Sequence, residues 1–144
     1  MFIREMIVED IPQLEKLYRQ FWDEKSSVET MNQRFNHLLA NQSHIFLSAM
    51  ENNQLIGSVM GVICEELYGD CKPFLVLENM IVSKNHRNQG VGKALVSELE
   101  RIAANRNCSQ VIFVTERSRI DAVKFYESIG YNSLTHVGFK KKLN

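Results

Sequence analysis

Alternation of apolar and polar positions predicts several β-strands in the first half of the chain. Phe2 to Met6 alternates well enough to form a first strand. His44 to Met50 and Leu55 to Cys64 are apolar, β-branched runs on either side of Glu51 to Gln54, an arrangement typical of an antiparallel hairpin. A further long apolar run, Phe74 to Val82, predicts a central strand.

Other segments repeat apolar residues every three or four positions, as helices do when one face is buried. Asp10 precedes Pro12 as a predicted N-cap, and the first helix should run to about Trp22. The apolar face of this helix comprises Ile11, Leu14, Leu17, Tyr18 and Phe21. A second helix is predicted after Ser27, and a third from about Gly90 to Asn105.

The C-terminal part of the chain adds strands and one more helix. Gln110 to Thr115 predicts a buried strand. The last helix should end at Gly130, in the C-terminal cap position, and it carries the apolar residues Ala122, Val123, Phe125, Tyr126 and Ile129. The tail from Tyr131 to Leu143 should hold one more strand or two very short ones. The order β-α-α-β-β-β-α-β-α-β predicts a mixed α/β fold in which helices cover the sheet.

Composition narrows the class of partner. The 144 residues, 44% of them hydrophobic, suit a single globular domain over residues 1–144. Lys plus Arg and Asp plus Glu are equal at 17 each, so the basic excess of a nucleic-acid-binding protein is missing. No apolar run approaches the ~20 residues of a membrane helix. We therefore expect neither nucleic acid nor a membrane as partner.

The cysteines and histidines indicate a reducing compartment and no bound metal. Cys64, Cys71 and Cys108 are odd in number and contain no Cys-x-x-Cys pair, so they fit neither a zinc site nor a disulfide framework. The four histidines show no metal-ligand spacing. The N-terminus carries Glu5 and no following apolar block, unlike a secretory signal. We expect a cytoplasmic protein.

The segment from Ile81 to Leu95 carries the most informative chemistry, because a strand end, a polar loop and two glycines precede a helix there. The first N–H groups of a helix lack internal partners and carry partial positive charge. Gly90 and Gly92 allow a bulky anion to approach these amides, and Arg87 and Lys93 add positive charge. The segment predicts a pyrophosphate site, although the two glycines alone would also suit a tight turn.

Two widespread phosphate motifs do not fit this segment. A Walker A loop needs a glycine where the chain has Arg87 and a Ser or Thr where it has Ala94. A dinucleotide fingerprint needs a third glycine where the chain has Leu95, and it needs an N-terminal βαβ unit. What remains is Arg-x-x-Gly-x-Gly after a strand.

The motif Arg87-x-x-Gly90-x-Gly92 resembles the Gln/Arg-x-x-Gly-x-Gly/Ala coenzyme A signature of the GNAT superfamily of N-acetyltransferases. Glu78 to Val82 and Ala122 to Tyr131 are also similar to family segments. The resemblance implies the GNAT fold, with a mixed, mostly antiparallel sheet and about four flanking helices. It also implies acetyl-CoA as co-substrate and direct acetyl transfer to an amine, without a covalent enzyme intermediate or a metal.

The resemblance further implies how the coenzyme is held. The central strand splays from its neighbour, so that backbone groups near Met80, Ile81 and Val82 pair with the pantetheine arm and a nearby amide polarises the thioester carbonyl. The pyrophosphate contacts Arg87 and the backbone amides of Asn88, Gln89, Gly90, Val91, Gly92 and Lys93. Arg119 is a further candidate: it replaces the family's usual Asn and would anchor a phosphate or cap the last helix.

Two residues are implied as catalytic. Tyr126 stands at the family's general-acid position, where it would protonate the leaving thiolate. Packing in the core as an amphipathic aromatic is its alternative role. Glu78 lies on the strand beside the thioester and is the candidate base for the acceptor amine. A satisfied structural carboxylate is its alternative role.

The acceptor is predicted only as an amine. Arg119 to Tyr126 and His136 to Leu143 are similar to a subset of small amine acetyltransferases that includes aminoalkylphosphonate N-acetyltransferases. Acceptors in this fold usually enter beside segments that are here acidic and aromatic, which suits a cationic polyamine, aminoglycoside or lysine; they carry Trp22, Asp23, Glu24, Glu29, Glu65, Glu66, Tyr68 and Asp70. Each is alternatively a solvated loop residue.

Other functions stay open at the level of sequence. A non-catalytic acyl-CoA sensor is the main alternative, and transfer to a hydroxyl or of a longer acyl chain is another. Dimers are common in the fold, so a homodimer is expected, although no residue locates its interface.

Overall fold

The computed structural model describes residues 1–144, which form two compact units, 1–112 and 113–144. The first contains β1 Phe2–Glu5, α1 Ile11–Arg19, α2 Val28–Leu39, β2 His44–Glu51, β3 Gln54–Cys64, β4 Phe74–Val82, α3 Val91–Asn105 and β5 Val111–Ile112. The second contains α4 Ile120–Ser128.

The strands form one sheet in the order β1-β2-β3-β4-β5. The pairings β1–β2, β2–β3 and β3–β4 are antiparallel, and β4–β5 is parallel. Together with the four helices, this confirms the predicted fold class of a mixed, mostly antiparallel sheet. The predicted hairpin is also confirmed: Asn52 and Asn53 turn between β2 and β3 with φ of 48° and 62°, as a tight two-residue turn requires.

Helix α3 packs closely on β3 because β3 has glycines where the helix crosses it. Leu95 and Leu99 of α3 are fully buried. A Cβ atom on Gly61 would lie 2.7 Å from Leu99 Cδ1, and one on Gly57 would lie 3.0 Å from Val91 Cγ1. Side chains at these positions would therefore push the helix away from the strand.

Helices α1 and α2 cover a second core cluster, which comprises Met6, Ile11, Leu14, Leu17, Phe35, Met50, Leu55 and Ile81. The apolar face predicted for α1 is confirmed as buried at Ile11, Leu14 and Leu17, whereas Tyr18 and Phe21 are partly buried against the same cluster. The helix itself ends at Arg19, earlier than the predicted Trp22. The next residues form a turn in which the N–H groups of Phe21 and Trp22 both bond to Tyr18 O at 3.0 Å.

Asp10 occupies the predicted N-cap position of α1, but its side chain makes no capping bond to the helix. Its carboxylate accepts two hydrogen bonds from Arg4, at 2.7 and 2.8 Å, one from Ile7 N–H at 3.1 Å and one from Ser48 Oγ at 2.9 Å. Burial is the largest influence on the pKa of Asp10 and raises it. The bonds and the charge of Arg4 outweigh burial, so this pKa lies below its ordinary value.

The strand predicted over Gln110 to Thr115 is shorter and less buried than expected. Only Val111–Ile112 is a strand, and Ile112 is 43% exposed. β5 is an edge strand that pairs with β4 alone, so the expectation of complete burial is wrong. An apolar run of this length does not distinguish an edge strand from a central one.

The second unit confirms α4 and its predicted end. Gly130 follows the helix with φ 103°, in the left-handed region that a glycine tolerates best. The prediction of one or two strands between Tyr131 and Leu143 is wrong, because the structure has none there. Leu134 N–H bonds instead to Asn132 Oδ1 at 2.8 Å, a local turn that competes with strand pairing.

Candidate active site

A β-bulge distorts β4 in the middle of its pairing with β3. The register shifts between Ser58 and Met60, so that Asn79–Met80 of β4 lies opposite the single residue Val59. Asn79 has φ 50°, a left-handed conformation that asparagine tolerates better than most residues. A bulge bends its strand and increases its twist, so it redirects the backbone at this point.

The pairing of β4 with β5 covers only the start of β4. Leu75 pairs with Val111 and Val76 pairs with Ile112, where β5 ends. β4 itself continues to Val82. The pairing with β5 therefore stops before the bulge, and β4 continues beyond it without a β5 partner. The splay that the sequence resemblance implies stays a prediction.

The loop 83–90 joins β4 to α3 through residues with left-handed backbone. A short 3₁₀ turn, Lys84–His86, comes first. Asn88 and Gly90 then have φ of 59° and 82°. Gly90 is the N-cap of α3 and supplies no side-chain capping bond. Because the first helical bond runs from Ala94 N–H to Gly90 O, the N–H groups of residues 91–93 are left as donors at a positively polarised helix end.

Two basic side chains of this loop lie over one aromatic ring. Arg87 Cζ is 4.5 Å from the centroid of the Phe21 ring, and Lys84 Nζ is 5.9 Å from it. The backbone N–H of Lys84 also donates to Gln20 Oε1 at 3.2 Å. Neither basic side chain forms an ion pair with a carboxylate. Both positive charges therefore remain without an acidic partner in the loop that leads to the N-terminus of α3.

The first unit thus brings together most of the predicted coenzyme contacts. Met80, Ile81 and Val82 form the end of β4, directly before the loop. The others lie in the loop and the first turn of α3: Arg87, Asn88, Gln89, Gly90, Val91, Gly92 and Lys93. Most of the loop is exposed, whereas Val91 is buried and anchors the helix start. These backbone donors and cations form a surface suited to an extended polyanion.

Glu78 lies on β4 immediately before the bulge and is exposed. Its carboxylate forms no ion pair with a basic side chain. An exposed carboxylate of this kind is accessible to an incoming group, and its role as a base stays a prediction.

In the second unit, Tyr126 of α4 is half-buried in an aromatic cluster. Its ring centroid lies 4.3 Å from that of Phe113, 5.1 Å from Phe125 and 6.1 Å from Tyr131. Burial raises the pKa of Tyr126, while the positive charge of Arg119 acts in the opposite direction. The phenol therefore stays protonated at neutral pH. Arg119 is exposed at the N-cap position of α4 and makes no side-chain capping bond.

The residues predicted around the acceptor are largely at the surface. Trp22 is 40% exposed and Tyr68 is 83% exposed. Trp22 packs edge-on against Tyr18 with a centroid distance of 5.3 Å. Tyr18 is itself well buried, which raises its pKa to about 12. No cluster of three or more His, Cys, Asp or Glu side chains is arranged to hold a metal ion, and none of the helices has the length and apolarity to span a bilayer.

Sequence reasoning missed two residues that shape the site. Phe21 belongs to the apolar stripe of α1, so its spacing indicates only a core residue, although its ring contacts Arg87. Asn79 gives a weak signal, because an asparagine inside an apolar strand is a candidate for left-handed backbone. The contact of Phe21 has no local signal, since its partner lies far away in the sequence.

Comparison with known proteins places this geometry in a family. The model of the acetyltransferase (GNAT) family matches residues 11–131. N-acetyltransferase family 8 member 2 of Rattus norvegicus is 30% identical over 100 residues, which cover 68% of this chain and 44% of the relative. The chain therefore spans less than half of that protein.

Solved structures share the fold over nearly the whole chain. Glucosamine-6-phosphate N-acetyltransferase from Arabidopsis thaliana superposes with a TM-score of 0.88 at 19% identity, covering 99% of this chain and 98% of that one. The aminoglycoside N-acetyltransferase AAC(6')-Iy, in complex with the bisubstrate analogue CoA-S-monomethyl-acetylneamine, gives a TM-score of 0.82 at 22% identity, covering 98% and 97%. At these identities the likeness establishes the fold.

Proposed function

The chain belongs to the acetyltransferase (GNAT) family, and from that premise we propose that it transfers the acetyl group of acetyl-CoA directly to a primary amine of a small molecule or peptide. Membership supports an acetyltransferase activity. The acetyl donor, the amine acceptor and the residues below are the finer parts of the proposal. A cytoplasmic location and a homodimeric state belong to it as well.

One observation carries the proposal: β4 continues past the end of its pairing with β5, through a bulge, towards a helix start that has no side-chain cap. The part of β4 beyond β5 offers an edge where an amide-bearing arm is able to lie. The helix start offers N–H donors where a diphosphate is able to bind. Coenzyme A carries an amide-bearing arm and a diphosphate in one flexible molecule, so it is able to reach both places.

The residues of the loop fit such a polyanion. The N–H groups of residues 91–93 supply donors, and Arg87 and Lys93 supply charge. Gly90 has left-handed backbone, which a glycine tolerates best, and apart from its chain neighbours no atom lies within 4 Å of the position that a Cβ atom would take. Met80, Ile81 and Val82 would hold the pantetheine arm through backbone groups, and Arg119 is a candidate phosphate contact.

The proposed chemistry needs a base and an acid. Glu78 removes a proton from the acceptor ammonium, directly or through water, because only the free amine has a lone pair for attack. The amine nitrogen forms a bond to the thioester carbon. The carbon–sulfur bond then breaks, and its electron pair stays on sulfur. Tyr126 donates its phenolic proton to that thiolate, which leaves as the thiol. The nitrogen is positively charged after the attack and loses its second proton to solvent water, and the tyrosinate takes a proton back from solvent, so that the products are the neutral amide and the free thiol and the phenol is restored.

The proton transfer from Tyr126 is uphill in water, because an ordinary phenol has a pKa of ~10 and a thiol one of ~8.5. Burial raises the pKa of Tyr126 and makes the phenol a still weaker acid, whereas the charge of Arg119 favours the tyrosinate. We assign Arg119 this second task beside any contact with the coenzyme. The transfer accompanies the late stage of sulfur departure, because the sulfur becomes basic only as the carbon–sulfur bond breaks.

The acceptor is proposed as a cationic amine of the polyamine, aminoglycoside, aminoalkylphosphonate or lysine type. Exposed acidic residues on the segments after α1 and before β4 support a cationic acceptor. The complex of AAC(6')-Iy with an acetylneamine analogue supports an aminoglycoside as one member of the panel.

The test is release of free thiol from acetyl-CoA in the presence of each amine of this panel. The matched variants are Gly92→Asp and Gly92→Asn, which add side chains of nearly equal size in the first turn of α3. Aspartate there favours the helix but repels a diphosphate, so Gly92→Asp should fold normally and lose coenzyme A binding. Gly92→Asn should retain more binding than Gly92→Asp.

The outcomes separate the proposed function from its main alternative. Thiol release with at least one amine, lost in Gly92→Asp, supports the acetyltransferase. Coenzyme A binding without thiol release across the panel would instead indicate a non-catalytic acyl-CoA sensor. Absence of coenzyme A binding by the wild-type protein would overturn both. Size-exclusion chromatography with light scattering tests the homodimer.

A further inference from the structure

The guanidinium of Arg87 has an unusual partner for a residue at an anion site. Its Cζ lies 4.5 Å from the centroid of the Phe21 ring, well inside the range of a cation–π contact. Phe21 follows the end of α1 and is partly exposed. No carboxylate pairs with Arg87. The ring is thus the contact that orients this side chain in the absence of an anion.

An aromatic partner differs from an acidic one in a way that matters for binding. A carboxylate would neutralise the guanidinium and compete with an incoming phosphate. A ring face restricts the rotamers of the side chain but leaves its charge and its five N–H donors available. A free arginine side chain has large rotamer entropy, which it loses when a ligand fixes it. Contact with the ring already restricts the side chain in the free protein, so less rotamer entropy is lost when the ligand binds.

A second contact joins the same two segments. Lys84, in the first turn of the loop, donates its backbone N–H to Gln20 Oε1 at 3.2 Å, next to Phe21. The Nζ of Lys84 lies 5.9 Å from the same ring, near the outer limit of a cation–π contact. Gln20 therefore holds the backbone of the loop at Lys84, and Phe21 contacts the side chain of Arg87.

We infer that Phe21 is a positioning residue that holds Arg87 in place for a phosphate oxygen of the coenzyme A diphosphate. This role rests on the proposed function, because it takes the coenzyme as the ligand of the loop. In this role Phe21 contacts no reacting atom and acts through Arg87. Its removal should weaken coenzyme binding without slowing acetyl transfer at saturation.

A double-mutant cycle tests this role on the full chain. Coenzyme A affinity is measured by calorimetry for the wild type, Phe21→Leu, Arg87→Met and the double variant. We expect Phe21→Leu to weaken binding about fivefold, the size of an exposed cation–π contact. Phe21→Tyr, which keeps a ring face, should restore most of the affinity. In the Arg87→Met background, Phe21→Leu should have no further effect.

Kinetics and a matched control complete the test. Phe21→Leu should raise the KM for acetyl-CoA and leave kcat unchanged. Phe46→Leu makes the same chemical change at a half-buried ring that packs on Phe35 and His44, and it should leave coenzyme affinity unchanged. If Phe21→Leu fails to fold by circular dichroism, Phe21→Met, which also keeps apolar bulk, replaces it in the same cycle.

Three results would overturn the inference. Additive losses in the cycle would mean that the ring supports the fold and not Arg87. An unchanged affinity in Phe21→Leu, with wild-type binding intact, would remove the role while leaving the proposed function standing. Loss of the coupling with dephospho-coenzyme A would assign Arg87 to the 3′-phosphate and not to the diphosphate. Failure of the wild type to bind coenzyme A would contradict the proposed function itself.

Discussion

At the scale of single residues, Tyr126 faces opposing demands, because a general acid must stay protonated and yet release its proton. Burial meets the first demand by raising the pKa of Tyr126. We predict that Tyr126→Phe lowers kcat by roughly 10²-fold, a typical contribution of a general acid, and leaves coenzyme A affinity nearly unchanged. Thiol release across a range of pH measures this. Turnover equal to wild type at every pH would show that the ring only packs against Phe113 and its neighbours.

A second prediction concerns Glu78, the candidate base, and the activity at low pH. Acceptor amines are increasingly protonated as the pH falls, so the need for a base grows in that direction. We predict that Glu78→Gln lowers the rate by roughly tenfold or more near neutral pH, with the largest loss at the lowest pH where the wild type is active. The pH profile of thiol release for the two proteins is the measurement. A small deficit that is constant across pH would count against this assignment.

At the scale of elements, the buried carboxylate of Asp10 links β1, β2 and the segment before α1. Asp10 joins β1 through Arg4, the segment between β1 and α1 through Ile7, and β2 through Ser48. We therefore predict that Asp10→Asn costs about 3 kcal/mol of unfolding free energy at pH 7. Because folding lowers the pKa of Asp10, its contribution is present above the ordinary value of 3.8 and is lost as the pH falls through the lowered pKa. Urea unfolding at pH 7 and near pH 3 measures both effects.

The control for Asp10 is another carboxylate whose pKa is lowered by a hydrogen-bonded arginine. Glu98 pairs with Arg101 at 2.7 Å on the exposed side of α3. Solvent screens such surface pairs, so Glu98→Gln should change stability very little. If Asp10→Asn were as mild as Glu98→Gln at pH 7, the bonded network around Asp10 would not be a major support of the segments that it links.

The elements that the sequence predicts well are those whose limits are local. β4 begins and ends at the predicted residues, because an apolar run stops there at a polar loop. The C-terminal end of α1 and the strands of the tail are predicted wrongly, because local hydrogen bonds take the place of the regular pattern there. Phe21 N–H bonds to Tyr18 O in the turn after Arg19, and Leu134 N–H bonds to Asn132 Oδ1.

Some features of the candidate site are also predicted from the sequence and others are not. The glycines of the loop are recognised from the sequence, because left-handed backbone and close anion approach both need them at fixed spacing. The bulge at Asn79 and the contact between Phe21 and Arg87 are not legible, since each depends on a register or a partner supplied by another element. The sequence therefore indicates where the anion would bind, whereas the tertiary structure is needed to identify Phe21 as the contact of Arg87.

For the whole molecule, the sequence predicts a single domain, and the structure divides the chain into residues 1–112 and 113–144. A segment of fewer than about 40 residues seldom forms a stable core alone. Residues 113–144 have no disulfide, and they leave Leu134, Phe139 and Leu143 about nine-tenths exposed. On these grounds the segment should not retain α4 as an independent folding unit.

We therefore predict one cooperative unfolding transition for the chain. Trp22 is the only tryptophan, and its fluorescence follows the first unit, while hydrogen exchange of the α4 amides follows the second. Both probes should give the same urea midpoint, since a two-state domain loses all its structure together. Earlier loss of protection in α4, with Trp22 unchanged, would show that Tyr126 is carried by a separately unfolding segment. In that case the general acid would be absent from a fraction of the molecules, and turnover would decline in urea before coenzyme binding does.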